Sequence, residues 1–487
     1  MKRYFLSIAL ISFMCLTILS NADAAVWVDG SEFANQSGIY GTKGVADTNN
    51  ILGGRNSAVL WHNSNGSILW FFGGYGYDSN GDLGYLNDFW KYVDSTGKWT
   101  WLSGSNSINQ AGRYGTKGIG DVSNIPGARK DSTCSYGKYG EIMLFGGYGY
   151  DSSGSLGRLN DLWEYSSTTN KWTWVSGSNA TAQPGVYGTK GVADANNVPG
   201  ARADTVSWVD ADGNLWLLGG FANVTGLMND LWKYNVSWTW VSGSNTGAQP
   251  GVYGTKGIAN VNNVPGARRS AVTWTDYDNN QLWLFGGYGY DINGSTGILN
   301  DMWSYDISTG MWTWQSGSNT INQMANYGIE DVADSNNLPG SRQEAVGWTD
   351  DDGNFWLFGG NGYDASSIGV LNDLWKYNIA REMWIWIAGS NLVNQAGVYG
   401  TQGIADADNW PGARYPTQSS GPAIDYMNFW VFGGSGRDSI GSSNGYLNDL
   451  WEFSCDGPIG DLNGDCFVDF EDFAVFSGNW LKKGNLE

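Results

Sequence analysis

Apolar runs that end in a pair of glycines recur six times along the chain. Each run is short and rich in aromatic and aliphatic residues, as in Leu282 to Phe285, and polar turn residues flank it. The pairs begin at Gly73, Gly146, Gly219, Gly286, Gly359 and Gly433, at steps of 73, 73, 67, 73 and 74 residues. Such a regular period predicts that one structural unit is repeated along the chain.

Each period reads as four short strands separated by turn residues. In the fourth unit we predict strand a over residues 270–275, b over 281–286, c over 300–305 and d over 312–315. A loop rich in Gly and Tyr would join strands b and c. Four strands repeated six times are typical of an all-β fold, a six-bladed β-propeller, in which large Trp side chains fill the wedges between blades.

Two charged residues recur in every unit. An Arg precedes strand a, and an Asp follows Asn just before strand c. A residue present in every unit is suited to holding the fold rather than to chemistry at one centre. We therefore predict that Arg202, Asp230 and their equivalents are structural hydrogen-bonding partners.

The repeated motifs Pro-Gly-Ala-Arg, Gln-Leu-Trp-Leu-Phe-Gly-Gly and Asn-Asp-Leu-Trp-Lys-Tyr resemble the long bacterial kelch repeats grouped with galactose-oxidase central domains. The resemblance covers about residues 25–455, and it implies a kelch-type β-propeller. These units exceed the usual kelch length of about 50 residues. The extra residues lie mostly between strand d and the next strand a, as in Gly251 to Gly257.

The sixth unit lacks a Trp-x-Trp strand d, and the N-terminus offers one. Trp27 stands eleven residues before Gly38, as Trp174 stands before Gly185. We therefore predict that residues 25–30 pair with strand c of the sixth unit and close the ring, which removes an exposed sheet edge.

In a propeller, the b–c and d–a connections share one face, and here they are the long, aromatic ones. Function usually lies on loops held by a rigid scaffold. We predict a ligand face there, with a polysaccharide or an extracellular protein as partner, and the alternative is that its tyrosines only pack the insertions. The candidate ligand-binding residues are Tyr75, Tyr77, Tyr148, Tyr150, Tyr288, Tyr290 and Tyr363. Units three and six depart from the tyrosine pattern, with Phe221-Ala222-Asn223 and Ser435-Gly436-Arg437.

After residue 455 the Gly/Trp repeat ends and acidic residues cluster. Residues 461–472 fit a twelve-residue calcium loop, and a short helix is expected to follow. The candidate Ca²⁺ ligands are Asp461, Asn463, Asp465, Phe467 through its carbonyl, Asp469 and Asp472. Residues 456–487 resemble half of a type I dockerin, which would make a cohesin-like protein a partner. Cys466 replaces the usual Gly, and only one loop is present, so that partner stays open.

The first 24 residues have the pattern of a secretory signal peptide. Lys2 and Arg3 precede an apolar stretch, and the small residues Ala22 and Ala24 stand at the expected cleavage site. No later segment approaches the roughly 20 apolar residues that span a bilayer. We expect a secreted or cell-surface protein, in which Cys455 and Cys466 form a small disulfide loop and Cys134 is buried.

Composition restricts the chemistry. The net charge of −21 argues against nucleic-acid binding. The only histidine, His62, excludes a two-histidine copper site and is expected in a turn between strands a and b. The hairpin acids, such as Asp210, resemble turn residues. We therefore predict a non-enzymatic binding or scaffold module, with a carbohydrate-active enzyme that hydrolyses glycans as the alternative.

Overall fold

The computed structural model describes residues 25–454, except 64–65, 138–139, 351, 416–417, 420–427 and 443–444. The predicted signal peptide, the calcium loop, its helix and the Cys455–Cys466 pair lie outside these residues. The described chain is all-β, and its one helical element is a 3-10 turn at Asp94–Thr96. It contains no helix with the length and apolar character needed to cross a membrane.

The strands fall into six units that follow the six glycine pairs. Strand β1 covers Ala25–Asp29 and precedes the first unit. Unit one contains β2 (Ala46–Asp47), β3 (Arg55–Asn56), β4 (Val59–His62), β5 (Ile68–Phe72), β6 (Tyr75–Tyr77), β7 (Leu83–Tyr85), β8 (Phe89–Val93) and β9 (Lys98–Ser103). Unit two contains β10 (Arg129–Lys130), β11 (Thr133–Tyr136), β12 (Ile142–Phe145), β13 (Tyr148–Tyr150), β14 (Leu156–Arg158), β15 (Leu162–Ser166) and β16 (Lys171–Ser176). Unit three contains β17 (Arg202–Ala203), β18 (Val206–Val209), β19 (Leu215–Leu218), β20 (Phe221–Ala222), β21 (Gly226–Leu227), β22 (Leu231–Asn235) and β23 (Ser237–Ser242).

The later units have fewer and longer strands. Unit four contains β24 (Arg268–Arg269), β25 (Val272–Asp276), β26 (Gln281–Tyr290), β27 (Thr296–Asp306) and β28 (Met311–Ser316). Unit five contains β29 (Arg342–Gln343), β30 (Val346–Thr349), β31 (Phe355–Tyr363), β32 (Ile368–Asn378) and β33 (Met383–Ala388). Unit six contains β34 (Arg414–Tyr415), β35 (Gln418–Ser419), β36 (Asn428–Gly436) and β37 (Gly445–Ser454).

Units one to five carry antiparallel strands in the order a–b–c–d, which is β11-β12-β15-β16 in unit two. In unit six, β36, β37 and β1 stand at the positions of strands b, c and d, and β35 pairs parallel with β4 of unit one. In units one to three, a second small sheet follows the glycine pair, such as β10-β13-β14. In units four to six, strands b and c run on through the pair as single long strands. The part expected as a b–c loop is therefore largely a hairpin. The bounds predicted for strands b, c and d of unit four were too short, and strand a was predicted to begin two residues before Val272.

The glycine pairs allow the next unit to approach closely. Gly73 and Gly74 have φ angles of 67° and 97°, which favour glycine. A Cβ on Gly73 would lie 2.8 Å from the carbonyl oxygen of Arg129, in unit two. A Cβ on Gly433, in unit six, would lie 3.2 Å from the carbonyl oxygen of Arg55, in unit one. Units one and six therefore meet through the same contact as consecutive units.

Strand β1 pairs antiparallel with β37, and Trp27 lies opposite Trp451. The Trp27 carbonyl accepts a 2.8 Å hydrogen bond from the Gly403 amide, as the Trp174 carbonyl does from Gly118. The Trp27 ring also packs edge-on against Tyr399, with 5.2 Å between ring centroids. Trp27 thus makes the contacts of the second Trp in a strand d.

A buried ion pair joins the recurring Arg and Asp of each unit. In unit four, Nη1 and Nη2 of Arg268 each donate a 2.7 Å bond to a different oxygen of Asp301. Tyr253 Oη and Trp303 Nε1 donate to the same carboxylate, both at 2.7 Å. The six pairs are Arg55–Asp88, Arg129–Asp161, Arg202–Asp230, Arg268–Asp301, Arg342–Asp373 and Arg414–Asp449. The prediction that these residues are structural partners is confirmed.

The Asn beside each Asp ties its unit to the next. Asn87 Nδ2 donates to the carbonyl of Pro126 in unit two at 3.3 Å, and its Oδ1 accepts from the Ser105 amide. Asn448 of unit six makes the same bond to the carbonyl of Leu52, just before Arg55 of unit one.

The cores between units are mainly aromatic, as the sequence predicted. Trp90, Trp163, Trp232 and Trp303 are fully buried. Cys134 is buried in one of these cores, as expected. His62 ends β4 rather than lying in the turn, and burial lowers the pKa of its imidazole. Asp210 accepts bonds from the Asp212 and Asn214 amides, so its reading as a turn residue is confirmed.

Candidate functional site

The b–c hairpins and the d–a insertions form one continuous surface, here called the tyrosine face. In the hairpin of unit one, Asp78 accepts a bond from the Ile108 amide of the following insertion at 3.2 Å. The Asp78 carbonyl accepts from the Gly38 amide of the preceding insertion, also at 3.2 Å. Each hairpin is thus held between two insertions, which gives the tyrosine face a rigid base.

The seven tyrosines predicted as ligand contacts are all half-buried on this face. Several pack against one another or against neighbours: Tyr75 lies 5.0 Å from Tyr85 and 5.9 Å from Tyr446 between ring centroids. Tyr77 contacts Tyr446, and Tyr150 contacts Tyr85. Tyr148 and Tyr288 line a pocket, whereas Tyr75, Tyr77, Tyr150, Tyr290 and Tyr363 do not line it.

The pocket has a volume of about 480 Å³ and is built by units one to four. Its walls combine aromatic rings with groups of both charges. They are formed by Tyr85, Lys130, Asp131, Tyr148, Arg158, Ala203, Asp204, Phe221, Leu227, Arg269 and Tyr288. Sequence reasoning missed the charged members and Tyr85, because it treated the tyrosines as the only candidates.

The pocket residues occupy positions at which the amino acid differs from one unit to the next. The residue after the recurring Arg pairs across strands with the residue after the glycine pair, as Lys130 does with Tyr148. That second residue pairs in turn with a hairpin residue, as Tyr148 does with Arg158. From unit one to unit six, the three positions hold Asn56-Tyr75-Tyr85, Lys130-Tyr148-Arg158, Ala203-Phe221-Leu227, Arg269-Tyr288-Ile298, Gln343-Asn361-Val370 and Tyr415-Ser435-Tyr446. Variation inside an otherwise regular repeat was the signal that could have found this site.

A fourth variable position follows directly and holds the acidic groups. It is occupied by Ser57, Asp131, Asp204, Ser270 and Glu344, which all have φ between 51° and 56°. This left-handed conformation is uncommon outside glycine and turns the chain from the Arg strand into strand a. From Asp131 to Glu344, the amide of each residue donates to the carbonyl of the equivalent residue in the preceding unit, as Asp204 does to Asp131 at 2.9 Å. The acids are thereby brought into neighbouring positions.

Two cations of the pocket are paired with carboxylates. Arg269 Nη1 lies 3.0 Å from Asp204 Oδ2, and Lys130 Nζ lies 3.2 Å from Asp131 Oδ2. Burial and the nearby Asp131 carboxylate raise the pKa of Asp204 to about 7, against the opposing effect of Arg269. Burial and Asp131 also raise the pKa of Glu344. Asp204 can therefore change its charge near neutral pH.

Arg158 is held differently. Its guanidinium lies over the Phe221 ring, 4.2 Å from the centroid, and Nη1 donates to Asn223 Oδ1 at 2.8 Å. Among the described residues, no carboxylate lies within ion-pair distance of Arg158, and its buried Nε has no hydrogen-bond partner. Burial lowers the pKa of this guanidinium.

The pocket can present flat apolar area, hydrogen-bond donors and hydrogen-bond acceptors to one ligand. Among residues 25–454 outside the gaps, no group of three or more His, Cys, Asp or Glu is arranged to hold a metal ion. The arrangement suits a polar ligand with a flat apolar side.

We expect Asp204→Asn to reduce the pH dependence of stability. The folded protein binds a proton at Asp204 more tightly than the unfolded chain, whose carboxyl titrates near its ordinary value of 3.8. The contribution of Asp204 to the free energy of unfolding therefore falls as the pH rises from about 4 to about 7. The free energy of unfolding should be measured with denaturant at about pH 5 and at about pH 8. Between these two pH values, wild type should lose about 1 kcal/mol or more relative to the variant. Asp212→Asn, on an exposed hairpin, is the control, and an equal pH dependence in Asp204→Asn and wild type would contradict the assignment.

Comparison with known proteins does not extend this picture. No protein-family model matches the chain, and no curated protein is similar to it in sequence. The repeat geometry and the pocket are therefore the features from which a function can be inferred.

Proposed function

We propose that this protein is a secreted, saccharide-binding module in which the pocket of the tyrosine face holds part of a polysaccharide. The single observation that carries the proposal is the combination of aromatic rings and paired charges in one cavity. Sugars have an apolar ring face and a polar edge, so a binding site for them needs both kinds of surface. Tyr148, Phe221 and Tyr288 supply the first, and Lys130, Asp131 and Asp204 supply the second.

A saccharide fits the pocket better than a large protein surface. Small-molecule sites usually enclose about 300–1,000 Å³, and this cavity of about 480 Å³ falls in that range. Ordinary protein interfaces bury roughly 800 Å² on each partner and need broader contact. An extracellular protein partner is therefore the weaker form of the proposal.

We further propose that the six units form a closed, kelch-type, six-bladed propeller. Three contacts between the first and last parts of the chain support closure. Strand β1 pairs with β37, Asn448 donates to Leu52, and the rings of Phe71 and Phe432 pack with 4.8 Å between centroids. The kelch assignment rests on the repeated motifs.

The calcium-binding, dockerin-like end of the chain stays a prediction from the sequence. Its candidate ligands, from Asp461 to Asp472, lie outside the described residues. The same holds for the proposed export and for the Cys455–Cys466 disulfide.

Glycan hydrolysis is the second candidate function, and one observation favours it. The pocket holds two neighbouring carboxylic acids, and the pKa of Asp204 is raised to about 7. Glycosidases use a pair of carboxyl groups, of which the acid has a raised pKa. Ion pairs to both acids favour binding over catalysis, because they hold each carboxylate in place.

Closure predicts that Trp27 contributes to stability as an internal strand-d Trp does. Trp27→Ala should lower the midpoint of thermal unfolding by about as much as Trp101→Ala, because both rings pack against a buried Tyr. The larger deletion of residues 25–30 should lower it further, because it also exposes the edge of β37. An unchanged midpoint in both N-terminal variants would contradict closure.

The binding proposal predicts that the two pocket tyrosines are essential for glycan recognition. The protein starting at Ala25 should bind members of a polysaccharide-fragment array, and Tyr148→Ala with Tyr288→Ala should weaken that binding at least about thirtyfold. The matched control is Tyr150→Ala with Tyr290→Ala, which removes the same groups two residues away and outside the pocket. His62→Ala with Asp212→Ala should leave binding unchanged.

Two results would change the proposed function. If no fragment binds, a saccharide ligand is ruled out, and a protein partner would then have to be sought. Release of shortened fragments, abolished by Asp204→Asn while binding persists, would establish hydrolysis instead.

A further inference from the structure

We infer that the saccharide unit in the pocket carries a carboxylate, and that Arg158 binds it. The inference rests on the proposed function and names the substrate class, a uronic-acid-containing glycan. It is carried by the position of Arg158, by its packing, and by the absence of a carboxylate within ion-pair distance among the described residues.

Arg158 stands where the other units have no charge. The equivalent residues are Tyr85, Leu227, Ile298, Val370 and Tyr446. None of the recurring structural bonds uses this side chain. A cation at this one position is therefore not required by the repeat.

The surroundings of Arg158 hold its guanidinium in place without a direct ion pair among the described residues. The Phe221 ring supports one face, and Asn223 holds Nη1. Lys130 and Arg269 have carboxylate partners at 3.2 and 3.0 Å, but Arg158 has none within ion-pair distance among the described residues. Asp204 and Asp131 attract Arg158 only from beyond ion-pair distance. In a chain with a net charge of −21, a guanidinium that is not bound to a carboxylate offers a local site for an anion.

The neighbouring walls select a carboxylate that is attached to a ring. Tyr148 pairs with Arg158 across the hairpin, and the guanidinium lies 5.8 Å from the Tyr148 centroid. A pyranose ring can pack on the aromatic wall while its carboxylate accepts from the guanidinium, whose planar donors match two carboxylate oxygens. A uronic acid has this ring and this charge in one unit.

The remaining charges of the pocket make binding sensitive to pH. Asp204 faces the charged groups Asp131, Glu344, Arg269, Arg158 and Lys130, and its pKa of about 7 lies within the pH range of the binding measurements. A sugar carboxylate, like an α-carboxyl group, stays ionised above about pH 4. As the pH falls from about 8 to about 6, protonation of Asp204 removes a negative charge from the pocket, and uronate binding should strengthen.

The test uses trisaccharides of galacturonic, glucuronic, mannuronic and guluronic acid, each compared with its methyl ester by calorimetric titration. The ester keeps the ring and removes the charge. At least one acid should bind about tenfold more tightly than its ester, because a hydrogen bond to a charged group is the stronger kind. Binding of that acid should weaken as salt is added.

Arg158→Gln should weaken binding of the acid about tenfold or more and leave binding of the ester unchanged. Arg158→Lys keeps the charge and should retain part of the preference for the acid. Arg113→Gln is the matched control, because it removes the same charge from an exposed position that does not line the pocket. An unchanged thermal midpoint in Arg158→Gln would show that the fold is intact.

Equal binding of acid and ester, or loss of both in Arg158→Gln, would overturn the carboxylate inference and leave saccharide binding standing. Failure of all four acids would overturn it too, and the fragment array would then decide the proposed function separately. Tighter binding of triglutamate than of any uronate would assign the pocket to an acidic peptide.

Discussion

The fold depends on a buried Arg–Asp pair that occurs once in each of its six units. Each carboxylate accepts two bonds from its Arg and one each from a Tyr and a Trp, so it is fully satisfied without water. Breaking such a pair by removing one partner usually costs about 3–5 kcal/mol, because a charge is then left buried and uncompensated. The Arg also donates to Gly266 and Gly286, so the pair fixes the start of the unit and its glycine pair together.

This arrangement separates the residues that hold the frame from those that are free to vary. The Arg side chain points into the buried cluster, while the next residue begins a set of four variable positions on the tyrosine face, here called the variable row. In unit two these are Lys130, Asp131, Tyr148 and Arg158. The residue after the recurring Arg differs between units two, three and four, where it is Lys130, Ala203 and Arg269. The Arg–Asp hydrogen bonds are nevertheless the same in all three units. A pocket with its own chemistry can therefore arise on a repetitive scaffold.

Much of the fold could be predicted from the sequence, because period, glycine pairs and Trp spacing report directly on repeated packing. The pairing of Arg202 with Asp230 followed from their recurrence. The role of Tyr253 and its equivalents was missed, although each stands 15 residues before its Arg, because nothing local indicates a contact with an Asp in strand c. The continuation of β26 through Gly286 and Gly287 was missed because glycine usually weakens a strand.

The site was harder to predict than the fold. Tyr148 and Tyr288 were identified, but Arg158, Asp204 and Arg269 come from three units and meet only through packing. The sequence analysis relied on residues that recur in every unit, whereas the pocket is formed by residues that differ from unit to unit. We therefore propose that the variable row, and not the recurring Arg–Asp frame, determines which ligand the protein binds.

The most direct test is to measure thermal unfolding and glycan binding of a variant in which unit two carries the variable residues of unit one. The triple variant Lys130→Asn, Asp131→Ser and Arg158→Tyr uses only side chains that the same backbone positions already carry in Asn56, Ser57 and Tyr85. We expect an unfolding midpoint close to that of wild type and loss of glycan binding. A folded variant that still binds glycans as wild type does would contradict the proposed role of the variable row.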